Sequence, residues 1–153
     1  MGGVERDMLT PPTVAVIGGG QLARMMQESA IALGINLRAL VEAEDGSTGL
    51  VTVDKAVGAP KDLDAVRALI DGADVLTFEH EHIPAQTMEE AARVVSVQPP
   101  AAALLYAQDK LQMRVRLSEM GIPCPAWARV DNAAELERFG AVIGWPLIVK
   151  TPR

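Results

Sequence analysis

Val14-Ala15-Val16-Ile17-Gly18-Gly19-Gly20-Gln21-Leu22-Ala23-Arg24-Met25-Met26 is the stretch that decides the fold. Its apolar, partly β-branched start suits a strand buried on both faces, as in a parallel sheet. The glycines let the backbone turn sharply and leave the start of a helix uncovered, so free N–H groups and the helix dipole can face an anion, a phosphate first of all. Beyond Gly20, the residues Leu22, Met25, Met26, Ala30 and Leu33 recur at helical spacing and give the helix one face to lay on the sheet. Gly34 ends it.

Working outward, strands and helices alternate from Thr13 onward. The pattern predicts a strand over Thr13 to Ile17, a helix over Gln21 to Leu33 and a strand over Asn36 to Val41, closed by the acidic cluster Glu42, Glu44 and Asp45. A short third strand falls at Leu50 to Val53 or at Lys55 to Val57. Leu63, Val66 and Ile70 mark a helix stopped by Gly72, followed by a buried strand over Ala73 to Phe78. Pro84 introduces a helix over Ala85 to Ala92, and Val94 to Val97 reads as a further strand. Such alternation predicts an α/β fold, a doubly wound parallel sheet with helices on both faces.

Gln98-Pro99-Pro100 breaks the pattern and marks a stiff joint. The expected division is a disordered leader over 1–12, a Rossmann-like domain over 13–98, and over 99–153 a linker with the beginning of a second, incomplete domain. In that last part helices are expected over Ala101 to Ala107 and Lys110 to Met120, then a short strand over Trp127 to Val130. A helix capped by Asn132, with Glu135 three residues on, and a last apolar strand over Pro146 to Lys150 complete it.

Composition narrows the function. The 153 residues are 49% apolar, enough for a sizeable core, and carry 14 basic against 20 acidic side chains, a net charge of -6. With no basic stripe interleaved with aromatics, duplex nucleic acid is not the expected partner. No apolar run approaches the roughly 18 residues of a membrane span, and Glu5, Arg6 and Asp7 stand where a signal peptide would need an apolar core. A cytoplasmic protein is expected. Cys124, between Pro123 and Pro125, is the single cysteine and reads as an inert thiol in a reducing compartment.

Three places carry candidate chemistry. Gly18-x-Gly20-x-x-Ala23 satisfies the relaxed dinucleotide fingerprint between a strand and a helix, with Glu42 near the position of a ribose-binding acid. An NAD(P)-binding Rossmann domain of an oxidoreductase or regulatory protein is therefore one reading, and a tight turn that binds nothing is another. Thr77-Phe78-Glu79-His80-Glu81-His82 leaves a strand at the carboxyl edge of the sheet, beside the glycine turn, where ligands of open α/β sheets bind. Glu79 and Glu81, two residues apart, would point the same way in an extended chain and could accept hydrogen bonds from ribose hydroxyls. One extended segment does not surround an ion, so no metal site is assigned, and His80 and His82 read as solvated loop histidines. Lys110 and Lys150 are compact charges suited to phosphate, and Lys150 is carried out by the apolar run Pro146-Leu147-Ile148-Val149.

Taken together, Gly18-Gly19-Gly20-Gln21-Leu22-Ala23-Arg24-Met25, Asp74-Val75-Leu76-Thr77-Phe78-Glu79-His80-Glu81-His82, Ala107-Gln108-Asp109-Lys110, Gly121-Ile122-Pro123-Cys124-Pro125 and Gly144-Trp145-Pro146-Leu147-Ile148-Val149-Lys150 carry a resemblance. In order and spacing they resemble the N5-carboxyaminoimidazole ribonucleotide synthases, the ATPase subunits of phosphoribosylaminoimidazole carboxylase in older naming, of the ATP-grasp superfamily. The resemblance implies a pre-ATP-grasp sheet domain followed by the start of an ATP-grasp domain. It also implies an ATP-dependent carbon–nitrogen ligase that phosphorylates bicarbonate to carboxyphosphate and carboxylates 5-aminoimidazole ribonucleotide in purine biosynthesis. By position, Gly20, Gln21, Leu22 and Glu79 match substrate-binding residues, and Lys110 and Lys150 match ATP contacts. The family's phosphate loop, catalytic residues and magnesium ligands would follow Arg153, so the chain is expected to be an N-terminal portion, inactive alone. A homodimer is suggested by the same resemblance.

Overall fold

The chain forms, in order, β1 (Thr13–Ile17), α1 (Gln21–Leu33), β2 (Asn36–Val41), β3 (Asp54–Val57), α2 (Leu63–Ile70), β4 (Val75–Phe78), α3 (Ala85–Ala91) and β5 (Ser96–Val97). Then come α4 (Ala101–Gln108), α5 (Lys110–Glu119) and α6 (Ala133–Ile143). These elements belong to a computed structural model that describes residues 10–153; most of the leader expected over 1–12 lies outside the described residues. Two compact units result, one up to Ala101 and one from Ala102.

In the first unit five strands make one parallel sheet in the order β3-β2-β1-β4-β5. β1 lies at the centre, with Val14 to Ile17 paired to Leu37 to Leu40 on one side and to Val75 to Phe78 on the other. Ala15, Val16 and Ile17 are fully buried, as a central strand covered on both faces requires. The chain crosses from β1 to β2 in one direction and from β3 to β4 in the other. Right-handed crossovers therefore put α1 and α2 on opposite faces. Val16, Leu37, Ala39 and Val41 pack with Ala23 and Ala30 of α1. On the other face, Arg38 reaches the C-terminal end of α2, donating from Nη1 to the carbonyls of Leu69 (3.2 Å) and Asp71 (2.6 Å) while Nε pairs with Asp54. Thr87 Oγ1 of α3 donates to Pro60 O (3.0 Å), tying α3 to the loop before α2.

Helix ends follow their local signals. Gly34 stops α1 in the left-handed region (φ 65°), and its N–H returns to the last turn. Asp62 caps α2 through Oδ1, which accepts from the amides of Asp64 and Ala65. In the second unit Asp109 caps α5 by accepting from Gln112 N (2.9 Å), and Asn132 caps α6 by accepting from Glu135 N (3.0 Å). Glu135 reaches back to accept from Asp131 N (2.9 Å), one residue beyond the N-cap amide that a standard capping box would bond. Gly140 of α6 is buried beneath Trp145, and a Cβ there would enter the indole ring.

Several expected strands differ. The third is Asp54–Val57, the later of the two alternatives. β4 begins only at Val75, because Ala73 and Asp74 close the preceding helix and bind Thr13. β5 is reduced to Ser96–Val97, since the amides of Val94 and Val95 return to Ala91 O and finish α3. The strands expected over Trp127 to Val130 and Pro146 to Lys150 do not form. A strand exists by backbone pairing, and among the described residues neither segment makes a backbone hydrogen bond to a neighbouring segment.

Candidate functional site

The glycine turn sits at the carboxyl edge of the sheet, held from both sides. Past β1 the ladder runs one residue further: Gly18 N donates to Leu40 O (3.2 Å) and Glu79 N donates to Ile17 O (3.2 Å). That pairing places Glu79 under the turn. Its Oε1 accepts from Gly20 N (3.0 Å) and its Oε2 from Ala23 N (2.6 Å). A carboxylate at a helix N-terminus fills two of the orphan donors and complements the dipole. Glu79 is thus the cap that α1 otherwise lacks, since Gly20 offers no side chain.

Sterics explain the glycines. Gly18 has φ 144°, and a Cβ there would collide with Cγ and Cδ of Glu79; a Cβ at Gly20 would meet Glu79 Oε1. At Gly19 a Cβ would press on the backbone of Val41, 3.0 Å away. The turn and Glu79 therefore fit together as one unit.

On the carbonyl side stands the loop between β2 and β3. Thr48, fully buried, donates from its amide to Gly19 O (3.1 Å) and from Oγ1 to Gly20 O (2.7 Å). Ser47 Oγ donates to Gln21 Oε1 (3.3 Å), and Arg24 Nη1 donates to Ser47 O (2.9 Å). The amides of Gln21 and Leu22 take no acceptor among the described residues, so two donors of the helix start remain for a ligand. Leu22, more than half exposed, borders an open apolar depression of about 460 Å³ on the surface that also reaches Met25, Phe78 and Glu79.

The expected residues thus fall in two groups. Gly20, Gln21, Leu22 and Glu79 converge at one sheet edge in the first unit. Lys110 and Lys150, both exposed, lie in the second unit. Lys110 opens α5, and its amide donates to Pro152 O (2.8 Å) while Arg153 pairs with Asp109 (3.3 Å), so the segment carrying Lys150 returns to the start of α5. The capping amide of Gln112, and then Arg153, hold the Asp109 carboxyl below the ordinary value of 3.8.

Two expectations change in detail. The chain bends over Glu79 to Glu81, so the extended geometry that would aim Glu79 and Glu81 alike is not kept. His82 is exposed, but His80 is half-buried and its Nδ1 accepts from His82 N (3.2 Å), so it is not a freely solvated side chain. Thr48 and Ser47 had no signal in the sequence beyond lying in a polar loop. Among the described residues no three His, Cys, Asp or Glu side chains stand together as metal ligands.

The family model of the ribonucleotide synthetase preATP-grasp domain matches residues 12–108. The chain belongs to that family. Over 143 residues this preATP-grasp chain is 46% identical to the N5-carboxyaminoimidazole ribonucleotide synthase of Mycobacterium tuberculosis, covering 93% of this chain and 33% of the relative. The corresponding enzyme of Corynebacterium ammoniagenes is 41% identical over 143 residues, 93% of this chain and 35% of the relative. Among solved structures, N5-carboxyaminoimidazole synthetase from Staphylococcus aureus complexed with ADP superposes with a TM-score of 0.81 at 28% identity, over 92% of this chain and 38% of that one. N5-carboxyaminoimidazole synthase from Aspergillus clavatus, in complex with ADP and 5-aminoimidazole ribonucleotide, gives 0.78 at 34% identity, over 91% of this chain and 38% of that one. The chain spans about a third of the length of the curated relatives it matches.

Proposed function

We propose that this chain is the substrate-binding part of an ATP-dependent carbon–nitrogen ligase that carboxylates 5-aminoimidazole ribonucleotide to N5-carboxyaminoimidazole ribonucleotide. Bicarbonate is the carboxyl source and carboxyphosphate the activated intermediate. One observation carries the reading: the Gln21 and Leu22 amides stand open at the start of α1, directly beside a carboxylate already fixed on Gly20 and Ala23. Anions bind at such helix starts, and the sheet edge is where open α/β folds take ligands. In this reading the two amides hold the 5′-phosphate. Glu79 uses two of roughly four acceptor positions on its turn contacts, which leaves acceptors for the ribose hydroxyls.

Residues 13–98 act as the substrate domain and 99–153 as the linker and start of an ATP-grasp domain, in which Lys110 and Lys150 contact the phosphates of ATP. Support comes from the relatives' names and from the nucleotides in the Staphylococcus and Aspergillus complexes. Magnesium would be held by residues other than those described. Among the described residues no helix is long and apolar enough to cross a membrane, in keeping with a cytoplasmic enzyme, and a homodimer is the proposed assembly.

The test is calorimetric titration of the chain with 5-aminoimidazole ribonucleotide and, separately, with NAD. Glu79→Gln is expected to weaken the ribonucleotide at least severalfold and Glu42→Gln to leave it unchanged. Tight NAD binding abolished by Glu42→Gln would overturn the ligase reading in favour of a dinucleotide domain.

A further inference from the structure

We propose that Thr48 is a positioning residue of the substrate turn, acting through the peptide planes of Gly19, Gly20 and Gln21; this rests on the reading of that turn as the phosphate cradle. Three consecutive glycines have no side chains to hold their own orientation, and glycine backbone is the freest of any residue. A turn of this kind aims its amides only if its carbonyls are fixed. Thr48 fixes both: its amide donates to Gly19 O (3.1 Å) and its hydroxyl to Gly20 O (2.7 Å).

A trans peptide is planar, with C=O and N–H on opposite sides. Holding the Gly19 carbonyl toward Thr48 therefore turns the Gly20 N–H the other way, onto Glu79 Oε1 (3.0 Å). Holding the Gly20 carbonyl likewise turns the Gln21 N–H away from Thr48, toward the open side where it meets no protein acceptor among the described residues. Gly20 O also closes the first turn of α1 by accepting from Arg24 N (3.2 Å), so the plane is set by two donors. Thr48 is itself well anchored. It is fully buried, its carbonyl accepts from Thr52 N (2.9 Å), and Arg24 grips the preceding Ser47 carbonyl. A rigid loop from β2 to β3 thus sets the direction of a ligand-facing donor on α1, without touching the ligand.

Two substitutions and two ligands test this in the 153-residue chain. Thr48→Val keeps the shape and deletes the hydroxyl donor; Thr48→Ser keeps the donor. Each is titrated with 5-aminoimidazole ribonucleotide and with the corresponding nucleoside, which lacks the phosphate. The wild type is expected to prefer the nucleotide. Thr48→Val should lose about tenfold in nucleotide affinity, the scale of one hydrogen bond, with the nucleoside changed by less than about twofold, and Thr48→Ser should restore the wild-type preference. Equal loss for both ligands would make Thr48 a structural contact only and end the proposal. Wild-type nucleotide binding by Thr48→Val would end it too, while leaving the phosphate reading intact. No preference for nucleotide in the wild type would instead overturn the phosphate reading, and this proposal with it. If Thr48→Val does not fold, Thr48→Cys, a weak donor of similar size, replaces it with a smaller expected loss.

Discussion

The two units of the chain bury their apolar residues very differently. Up to Ala101, the apolar side chains of β1, β2 and β4 are mostly inside, with Val16, Ile17, Ala39 and Leu76 fully buried. From Ala102 on, Val142, Ile143, Trp145, Ile148 and Val149 are exposed by between 49% and 84%, and α5 has no buried residue at all. Composition does not explain this, since Pro146-Leu147-Ile148-Val149 is as apolar as Val14-Ala15-Val16-Ile17. What differs is company. β1 has a parallel neighbour on each side and helices over its faces, whereas the second unit is held by caps, turns and a tryptophan folded on a glycine.

The sharpest way to break this contrast is truncation of matched apolar residues. Leu76→Ala, in the middle of β4, is expected to cost about 2–5 kcal/mol in urea unfolding, because it leaves a cavity in a fully buried layer. Val149→Ala should change stability by no more than about 0.5 kcal/mol. Equal losses would show that the second unit has a core comparable to the first.

A smaller effect is expected at the turn. Gly18→Ala forces a side chain into φ 144° and against Glu79, a strain of about 1–3 kcal/mol. It should also displace the Glu79 carboxylate, visible as a shift of the Gly20 and Ala23 amide resonances. Unchanged resonances would show that the glycine is not needed for the approach of Glu79. In the second unit the comparable test is a cap: Asn132→Ala should destabilise α6 by about 1 kcal/mol, read from helical circular dichroism during unfolding.

The smallest effect concerns pH. The folded state lowers the Asp109 pKa, so its contribution is fully present above the ordinary value of 3.8 and is lost as pH falls through the lowered folded value. Acid titration followed by the Gln112 amide resonance should show α5 fraying at its start below pH 3.8 before the first unit responds. Simultaneous loss in both units would remove the distinction between a local cap and a buried core.

Much of the fold was legible in the sequence. Thr13–Ile17, Gln21–Leu33 and Asn36–Val41 emerge with the bounds that periodicity and Gly34 predict, and Asn132 caps α6 as its position suggests. The α/β alternation and the family follow from the same motifs. These signals are local: a cap acts over three residues and a helix repeats every 3.6.

The sequence by itself determined where most elements start and stop, which faces are apolar, and that glycines end the first strand. Only the tertiary structure decided which apolar runs become strands and what the turn faces. Glu79 meets Gly20 across 59 residues of chain and Thr48 meets it across 28, because the parallel order β2-β1-β4 brings the ends of those strands together. No spacing rule reaches that far. The glycine turn was readable as a place for an anion and Glu79 as a carboxylate beside it, but that Glu79 caps the turn from beneath and Thr48 holds it from above follows from strand order.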